Sequence, residues 1–419
     1  MQAGYRYRIY PTDAQADALL GQMSMCRWVF NETVALRRRV WHREGRTAGF
    51  GELCRALTAA RASSGWLRAG SADCQQQAVR ECCAAYTRTF AARRSTGRPV
   101  PLPGPRRLKD QGWRTVRYTR NGYRFDADGG LVVAGVPGGI VVRFSRGLPS
   151  LPTSVTVTLD SAGRWHASFS VEVPEQQLPA TGRQVGVDLG VSTALTFSDG
   201  EKIRNPRHLR ARERALARSQ RALARKQRGS QNRKKAKVRV ARTHARVADC
   251  RRDFQHQTTT RLVRGHDLIA IEDLNVKGMS ASARGSVSRP GRSVRQKAGL
   301  NRQILDVGFA TIRAHLAYKT VLYGRQLVVI DRWHPSSKLC SGCGQARAKL
   351  ALQERVYHCE CCGLSLDRDL NAARNILAAG LADRQNACGG RIRPATPRRS
   401  RQRPVKQEPR PVTAGNPLP

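Results

Sequence analysis

The spacing of apolar and polar positions changes several times along this chain, and each change predicts a different element. Tyr5 to Tyr10 (YRYRIY) alternates ring or aliphatic side chains with Arg, the two-residue period of a half-buried strand. Pro11-Thr12-Asp13 then opens a helix whose apolar face is Leu19, Met23, Cys26, Phe30 and Val34. The same helical period predicts a second helix over about Phe50 to Ala62. A third runs from about Ser71 to Arg93, through Val79, Cys82, Tyr86 and Phe90. A basic Pro/Gly segment, Arg93 to Arg107, closes this helical module. From Arg114 to Val173 the period returns to two. Asn121-Gly122 predicts a type I′ hairpin, and Ser154–Leu159 and Trp165–Val173 read as strands. Pairing of the first strand with these later ones makes the helical module an insertion into a β-barrel.

At Gln184 alternation gives way to nearly continuous apolar runs, the mark of strands buried on both faces. VGVDLGVSTALTFSDG reads as a strand, a Gly-flanked turn and a second strand, with Asp188 at the end of the first run. LIAIEDLN (Leu268–Asn275) is another buried strand, ending at Glu272. Between them, Leu209, Leu216 and Leu223 repeat by seven, as do Val240, Val247 and Phe254, with Gly229-Ser-Gln-Asn in the middle. Two antiparallel helices with one narrow apolar seam each fit this pattern. A Gly/Ser/Arg stretch (Lys277–Arg292) reads as a mobile loop suited to gate access to Glu272. One helix is predicted from about Gln296 to Leu322, with Leu300, Ile304, Phe309, Ile312 and Leu316 on its core face, and a strand over Gln326–Arg332. A last helix, Leu370–Ala379, opens at Asp369. Beyond Arg384 the chain is Pro/Arg-rich and free of aromatics, the composition of disorder.

Charge sharpens this picture. Lys and Arg number 75 against 30 Asp and Glu, a formal net charge of +45 over 419 residues. Such an imbalance implies a polyanion held along an extended track, bound largely through counterion release, and argues against a small-molecule substrate. The Arg207–Arg264 helices, basic over most of their surface, are the candidate phosphate-binding brace. Nothing in the sequence suits a membrane span, a lipid anchor or a signal peptide. Scattered single thiols point to a reducing, cytoplasmic location.

Two motifs carry chemistry. Cys340/Cys343 and Cys359/Cys362 form two Cys-x2-Cys pairs fifteen residues apart, each followed by a glycine, Gly344 and Gly363. Four thiolates at that spacing predict a structural zinc ribbon; Cys361 falls between ligands and is left out. The second motif is dispersed: Asp188 and Glu272 end apolar strands, and Asp369 begins a helix. A carboxylate in such a place is solvated, paired or metal-bound. Together they suit two Mg2+ ions able to activate water and steady a leaving 3′ oxygen during phosphodiester cleavage. Of the close pair Asp367 and Asp369, the small residues after Asp369 favour it for the site, leaving Asp367 as a cap or ribbon-side partner. His334-Pro-Ser-Ser, leading into the ribbon, suits either strand positioning or simple loop geometry.

In this order, GVDLGVSTALTFSDG, IEDLNVKGM and CSGCG…YHCECCGLSLDRDLNAARNIL resemble the TnpB family of transposon-encoded, RNA-guided DNA nucleases, related to type V CRISPR effectors. The resemblance spans about 184–379. It implies an α+β multidomain chain: an RNase H-like (RuvC) α/β nuclease domain with an inserted zinc ribbon, plus an N-terminal wedge β-barrel with an inserted helical module. The corresponding division is 1–10 for the first wedge strand, 11–99 for the helical recognition module and 100–181 for the wedge barrel. The nuclease domain takes 182–335, with a basic helical hairpin at about 204–264. The zinc ribbon takes 336–365, the last nuclease segment 366–380, and a disordered basic tail 381–419. Asp188, Glu272 and Asp369 fall on the family's acidic positions, and the four cysteines on its zinc ligands. The implied partners are a guide RNA from the transposon end and a double-stranded DNA target beside a short flanking motif. A nuclease-inactive RNA-guided repressor and a strand-transfer transposase are the alternatives.

Overall fold

Strand β1 (Gln2–Tyr10) buries Tyr7 and Ile9 and turns Gln2, Gly4 and Arg6 outward, as its alternation requires. In the computed structural model, which describes residues 1–107, 114–351 and 353–386, the chain forms two compact units. The first comprises Met1–Pro174 with Ala215–Ala245, the second Glu175–Arg214 with the rest of the chain.

In the first unit, β1 pairs antiparallel with β7 (Trp165–Glu172) from Gln2↔Glu172 to Arg8↔His166, and on its other side with β5 (Val141–Arg143). β7 continues to β6 (Ser154–Leu159) and β6 to β2 (Thr115–Thr119), giving the order β2-β6-β7-β1-β5. A separate hairpin joins β3 (Tyr123–Phe125) to β4 (Leu131–Val133). The two edge strands, β2 and β5, do not pair with each other among the described residues. Between β1 and β2 in the chain come α1 (Asp13–Glu44), α2 (Phe50–Ser63), α3 (Gly65–Arg68) and α4 (Ala72–Thr96). Thr12 and Gln15 cap α1 reciprocally, and Leu19, Met23, Cys26, Phe30 and Val34 are all buried. The core of this unit combines Leu19, Met23 and Val79 from the helices with Tyr118, Val155, Val157 and Phe169 from the sheet.

The Asn121-Gly122 hairpin expectation fails. Arg120–Gly122 form a turn of 3-10 helix, Gly122 does not take the positive φ a type I′ turn needs, and β2 and β3 pair with different partners. The cause is a tertiary contact. The Asp73 carboxylate accepts from the Thr119 backbone N–H and hydroxyl, both at 2.7 Å, and pulls the chain onto the start of α4. It packs so close that a Cβ at Gly122 would lie 2.3 Å from its Oδ2.

The second unit is built on a sheet ordered β10-β9-β8-β11-β12. β8 (Gln184–Leu189), β9 (Thr193–Phe197) and β10 (Lys202–Arg204) form an antiparallel meander. β11 (Leu268–Glu272) then adds parallel to β8, and β12 (Gln326–Ile330) parallel to β11. Alternation splits side chains between the two faces. Val185, Val187, Ile269 and Ile271 join Leu262, Val263, Ile304, Ile312 and Leu316 in one core. On the other face Leu268 and Ala270 meet Ile376 and Leu377 of α10 (Arg368–Asn386). Helices α6 (Gln231–Gly265), α8 (Val294–Val307) and α9 (Phe309–Leu322) contribute to the first core, and α6 and α5 (His208–Ala224) both span the unit boundary in sequence. In the basic pair Leu216 and Val247 are buried, and Arg233 donates to the Leu223 and Lys226 carbonyls to close the end of α5.

Three further expectations change. The helix expected over 296–322 is two, broken at Gly308 (φ +76°), where Gln255 Nε2 donates to the freed Val307 carbonyl at 2.8 Å; Leu300 faces solvent. The stretch 277–292, expected to be a loop throughout, begins inside a short helix and is otherwise without helix or strand. It carries α7 (Val276–Met279) and a Gly285↔Pro290 bridge, and Asn301 and Lys297 of α8 donate to its carbonyls. The last helix does not stop at Ala379: α10 runs on to Asn386, with Leu381 against Leu268 and Ile330, so 381–386 are helical. The rest of the expected disordered tail, 387–419, lies outside the described residues. No helix among the described residues is long and apolar enough to cross a membrane.

Candidate active site and cysteine cluster

Parallel pairing sets the first two acids side by side. Val187 of β8 is in register with Ile271 of β11, so Asp188 and Glu272 follow on the same face at the carboxyl ends of neighbouring strands. Neighbouring strands run about 4.8 Å apart. This is the edge of an α/β sheet at which ligands bind. The third acid arrives with α10, and Gly186 lets it arrive. A Cβ at Gly186 would lie 2.1 Å from the Ala373 carbonyl oxygen and 2.6 Å from the Leu377 N. The helix backbone therefore rests directly on β8, two residues before Asp188. Asp369 lies four residues before Ala373, about 6 Å along the axis, at the helix start.

The electrostatics register this convergence. Burial pushes the Asp188 carboxyl up to about 7, and the nearby charges of Glu272 and Asp369 push the same way against a weaker pull from Arg368. Carboxylates brought this near one another are hard oxygen donors, the type a divalent cation takes. Asp369 has Arg368 at 3.9 Å, and Glu272 accepts from the Ser336 hydroxyl. Asp367 is turned to other work: its Oδ1 accepts from the Asp369 and Leu370 amides at 3.0 and 3.1 Å, capping α10, and its Oδ2 pairs with Lys202 at 2.7 Å.

The cysteine cluster lies between β12 and α10 in the chain. Sγ of Cys340 is 3.6 Å from that of Cys362, Cys343 from Cys359 likewise, and all four sulfurs fall within 4.8 Å of one another. A tetrahedral Zn2+ with Zn–S bonds of about 2.3 Å sets sulfurs about 3.8 Å apart, so the four fit that ion. Gly344 (φ +76°) and Gly363 (φ +70°) donate back to the Cys340 and Cys359 carbonyls, each at 2.9 Å, in conformations that disfavour a Cβ. The Cys362 and Cys361 amides hold the Cys359 thiol down to about 6, favouring thiolate. Cys361 itself is exposed and stands outside the cluster. β13 (Val356–His358) and β14 (Ser365–Asp367) pair to carry the second knuckle, and β14 leads directly into α10.

Side chains that sequence reading missed tie the cluster to the acids. Asn371, fully buried on α10, donates to the Leu339 carbonyl at 2.6 Å and accepts from the Ser341 amide at 2.9 Å. Asn375, one turn on, donates to the Ser336 and Leu339 carbonyls at 2.7 and 2.8 Å. Ser336 is thus fixed from both sides, to α10 and to Glu272. Asp273 is clamped by Arg313 and Arg332, which hold its carboxyl below the ordinary range. The available signal was the amide pair of NAARN: two amides four apart in a helix otherwise small and apolar on that side.

The fold and the site define an α+β protein with an acidic strand-end cluster beside a four-cysteine, metal-suited knuckle. A family model described as a probable transposase (OrfB_IS605) matches residues 168–283, a Cas12f1-like TNB domain model matches 309–376, and a helix-turn-helix domain model matches 1–46. Within 1–46 the structure holds one strand and one helix. A Streptomyces pristinaespiralis protein named "Putative RNA-guided DNA endonuclease" is 40% identical over 422 residues, covering 100% of this chain and 98% of its own length. "Putative RNA-guided DNA endonuclease InsQ" of Escherichia coli (strain K12) is 32% identical over 409 residues, covering 97% and 96%. "CRISPR-associated endodeoxyribonuclease Cas12f1" of Sulfoacidibacillus thermotolerans is 22% identical over 264 residues, covering 59% and 57%. The chain belongs to the TnpB (OrfB_IS605) family.

Proposed function

We propose that this protein is an RNA-guided, metal-dependent DNA endonuclease with a RuvC-type, RNase H-like catalytic unit. The observation that carries the reading is the convergence of Asp188, Glu272 and Asp369 at one end of a sheet ordered β10-β9-β8-β11-β12, with Asp188 held near a neutral pKa. In support stand the two full-length relatives, each named "Putative RNA-guided DNA endonuclease", and the +45 charge suited to nucleic acid. The three carboxylates would hold divalent cations, with Mg2+ the fitting choice for hard oxygen donors that leave room for water and phosphate oxygens. Bound there, such ions supply a water of lowered pKa and charge to offset the developing leaving oxygen. The chain's own residues do the rest. Ser336 orients Glu272 by its hydroxyl, Asp367 fixes the start of α10 and so the height of Asp369, and the Arg313–Asp273–Arg332 clamp holds the end of β11. The cysteine cluster, loaded with Zn2+, anchors the strand that feeds α10.

In this reading the guide RNA derives from the transposon end and pairs with one strand of a DNA duplex, while Arg and Lys grip backbone by charge and shape. The first unit acts as wedge and recognition module. The description probable transposase favours a second reading, strand transfer in place of hydrolysis. Purified protein with its co-purified RNA, given Mg2+ and a plasmid matching that RNA, separates them. Linear plasmid supports the endonuclease, joined ends the transposase, and bound but uncut plasmid an inactive repressor.

A further inference from the structure

Trp333 is 84% exposed, an unusual position for the largest apolar side chain, in a turn held by hydrogen bonds on both sides. β12 ends at Ile330, directly opposite Glu272, and the Asp273 amide donates to the Ile330 carbonyl at 3.1 Å. The next residues emerge at the same sheet edge as the acids. They are pinned on both sides of the tryptophan: Arg332 grips Asp273, and Ser336 grips Glu272 while its carbonyl is held by Asn375. Within the turn, the Trp333 amide donates to Asp331 Oδ1 at 2.9 Å and the His334 amide to the Asp331 carbonyl at 3.1 Å. The backbone is thus fixed, and the ring projects from it with no aromatic or cationic stacking partner among the described residues.

We propose that Trp333 is a stacking platform for an unpaired DNA base, positioning the single strand whose phosphate lies over Asp188, Glu272 and Asp369. This rests on the reading of the site as a DNA nuclease and names what that site holds beyond the phosphate. Two facts favour a nucleobase over another occupant. The turn is joined to the acid cluster through its own hydrogen bonds, Ser336 to Glu272 and Arg332 to the neighbouring Asp273. The chain as a whole, at +45, draws a polyanion, while at the turn itself Arg313 and Arg332 are paired with Asp273. A flat indole face accepts any base, because every base offers a π-face; the contact therefore tolerates all sequences and requires an unpaired strand. Trp333 is a positioning residue and takes no part in the bond-breaking step.

Two measurements on the full chain with its bound RNA test this. First, a single-stranded DNA oligonucleotide bearing 5-iodouracil is irradiated on the protein with Mg2+ left out and the zinc retained, and the crosslinked peptide is identified by mass spectrometry. The proposal expects a crosslink on Trp333; crosslinks confined to other residues overturn it, whether or not the protein cuts DNA. Second, Trp333→Leu is expected to raise KM for DNA about tenfold with little loss of kcat, and Trp333→Tyr to restore it, at unchanged zinc content and guide-RNA binding. A Leu variant that cuts as well as wild type overturns the proposal while leaving the nuclease reading intact. Failure of the wild type to cut strikes that reading, and the crosslink still decides the role of the tryptophan.

Discussion

His166 shows how strongly a residue's neighbours set its chemistry. It faces Arg8 across the β1–β7 pair, and burial first, then the charges of Arg6 and Arg8, hold its imidazole down to about 4 from an ordinary 6.5. Between those values the unfolded chain binds a proton that the folded chain refuses. Stability contributed at this site is therefore full above about pH 6.5 and is lost as pH falls toward 4. His166→Gln should remove that part of the acid sensitivity. Thermal unfolding of both proteins from pH 7 to pH 4 checks it: wild type should lose more of its Tm over this range than the variant, and parallel curves would count against the buried imidazole. Asp188 presents the opposite case, a carboxyl raised by burial and by the like charges of Glu272 and Asp369.

At the scale of elements, α10 is the part on which the site turns. Its contact with Gly186 is backbone to backbone, so the neighbour cannot give way by rotating a side chain. Gly186→Ala should lift the helix start and part Asp369 from Asp188. Overpacking of this kind costs about 1–3 kcal/mol. The expected result is a folded protein of lower Tm, normal zinc content and severely reduced cleavage; wild-type activity in that variant would mean that the helix position is not critical. The cysteine cluster acts on the same helix from its other side, through β14, Asn371 and Asn375. Cys340→Ser should lower zinc content per chain, measured by atomic absorption, together with the thermal stability of the second unit, before any effect on chemistry. Unchanged zinc content would remove Cys340 from the ligands.

For the whole molecule, local patterns were legible wherever the physics was local. The strands carrying Asp188 and Glu272, the two Cys-x2-Cys pairs and the buried face of α1 could all be read from period and spacing, because alternation and metal-ligand spacing are properties of short stretches. What sequence reading missed was set by distant partners. Asp73, some fifty residues away, turned the Asn121-Gly122 hairpin into a 3-10 turn. Gln255 stabilised the break at Gly308, and packing of Leu381 against Leu268 and Ile330 carried α10 past its expected end. The hydrogen bonds of Ser336, Asn371 and Asn375 depend on a ribbon folding back onto a helix, which no stretch of sequence displays. The acids themselves were visible singly as carboxylates at the ends of apolar runs. The sequence motifs and the family resemblance group the three together; what brings them near one another in the structure is the parallel pairing of β8 with β11 and the absence of a side chain at Gly186.

The central claim is that these three carboxylates work together in cutting DNA. The most direct measurement compares wild type and Asp188→Ala, each with its bound guide RNA and Mg2+, on a plasmid carrying the matching sequence, with DNA binding followed in parallel. The account predicts linear plasmid from wild type, uncut plasmid from the variant, and closely similar binding of RNA and DNA by both. Cutting by the variant at the wild-type rate, or loss of binding together with cutting, would contradict it.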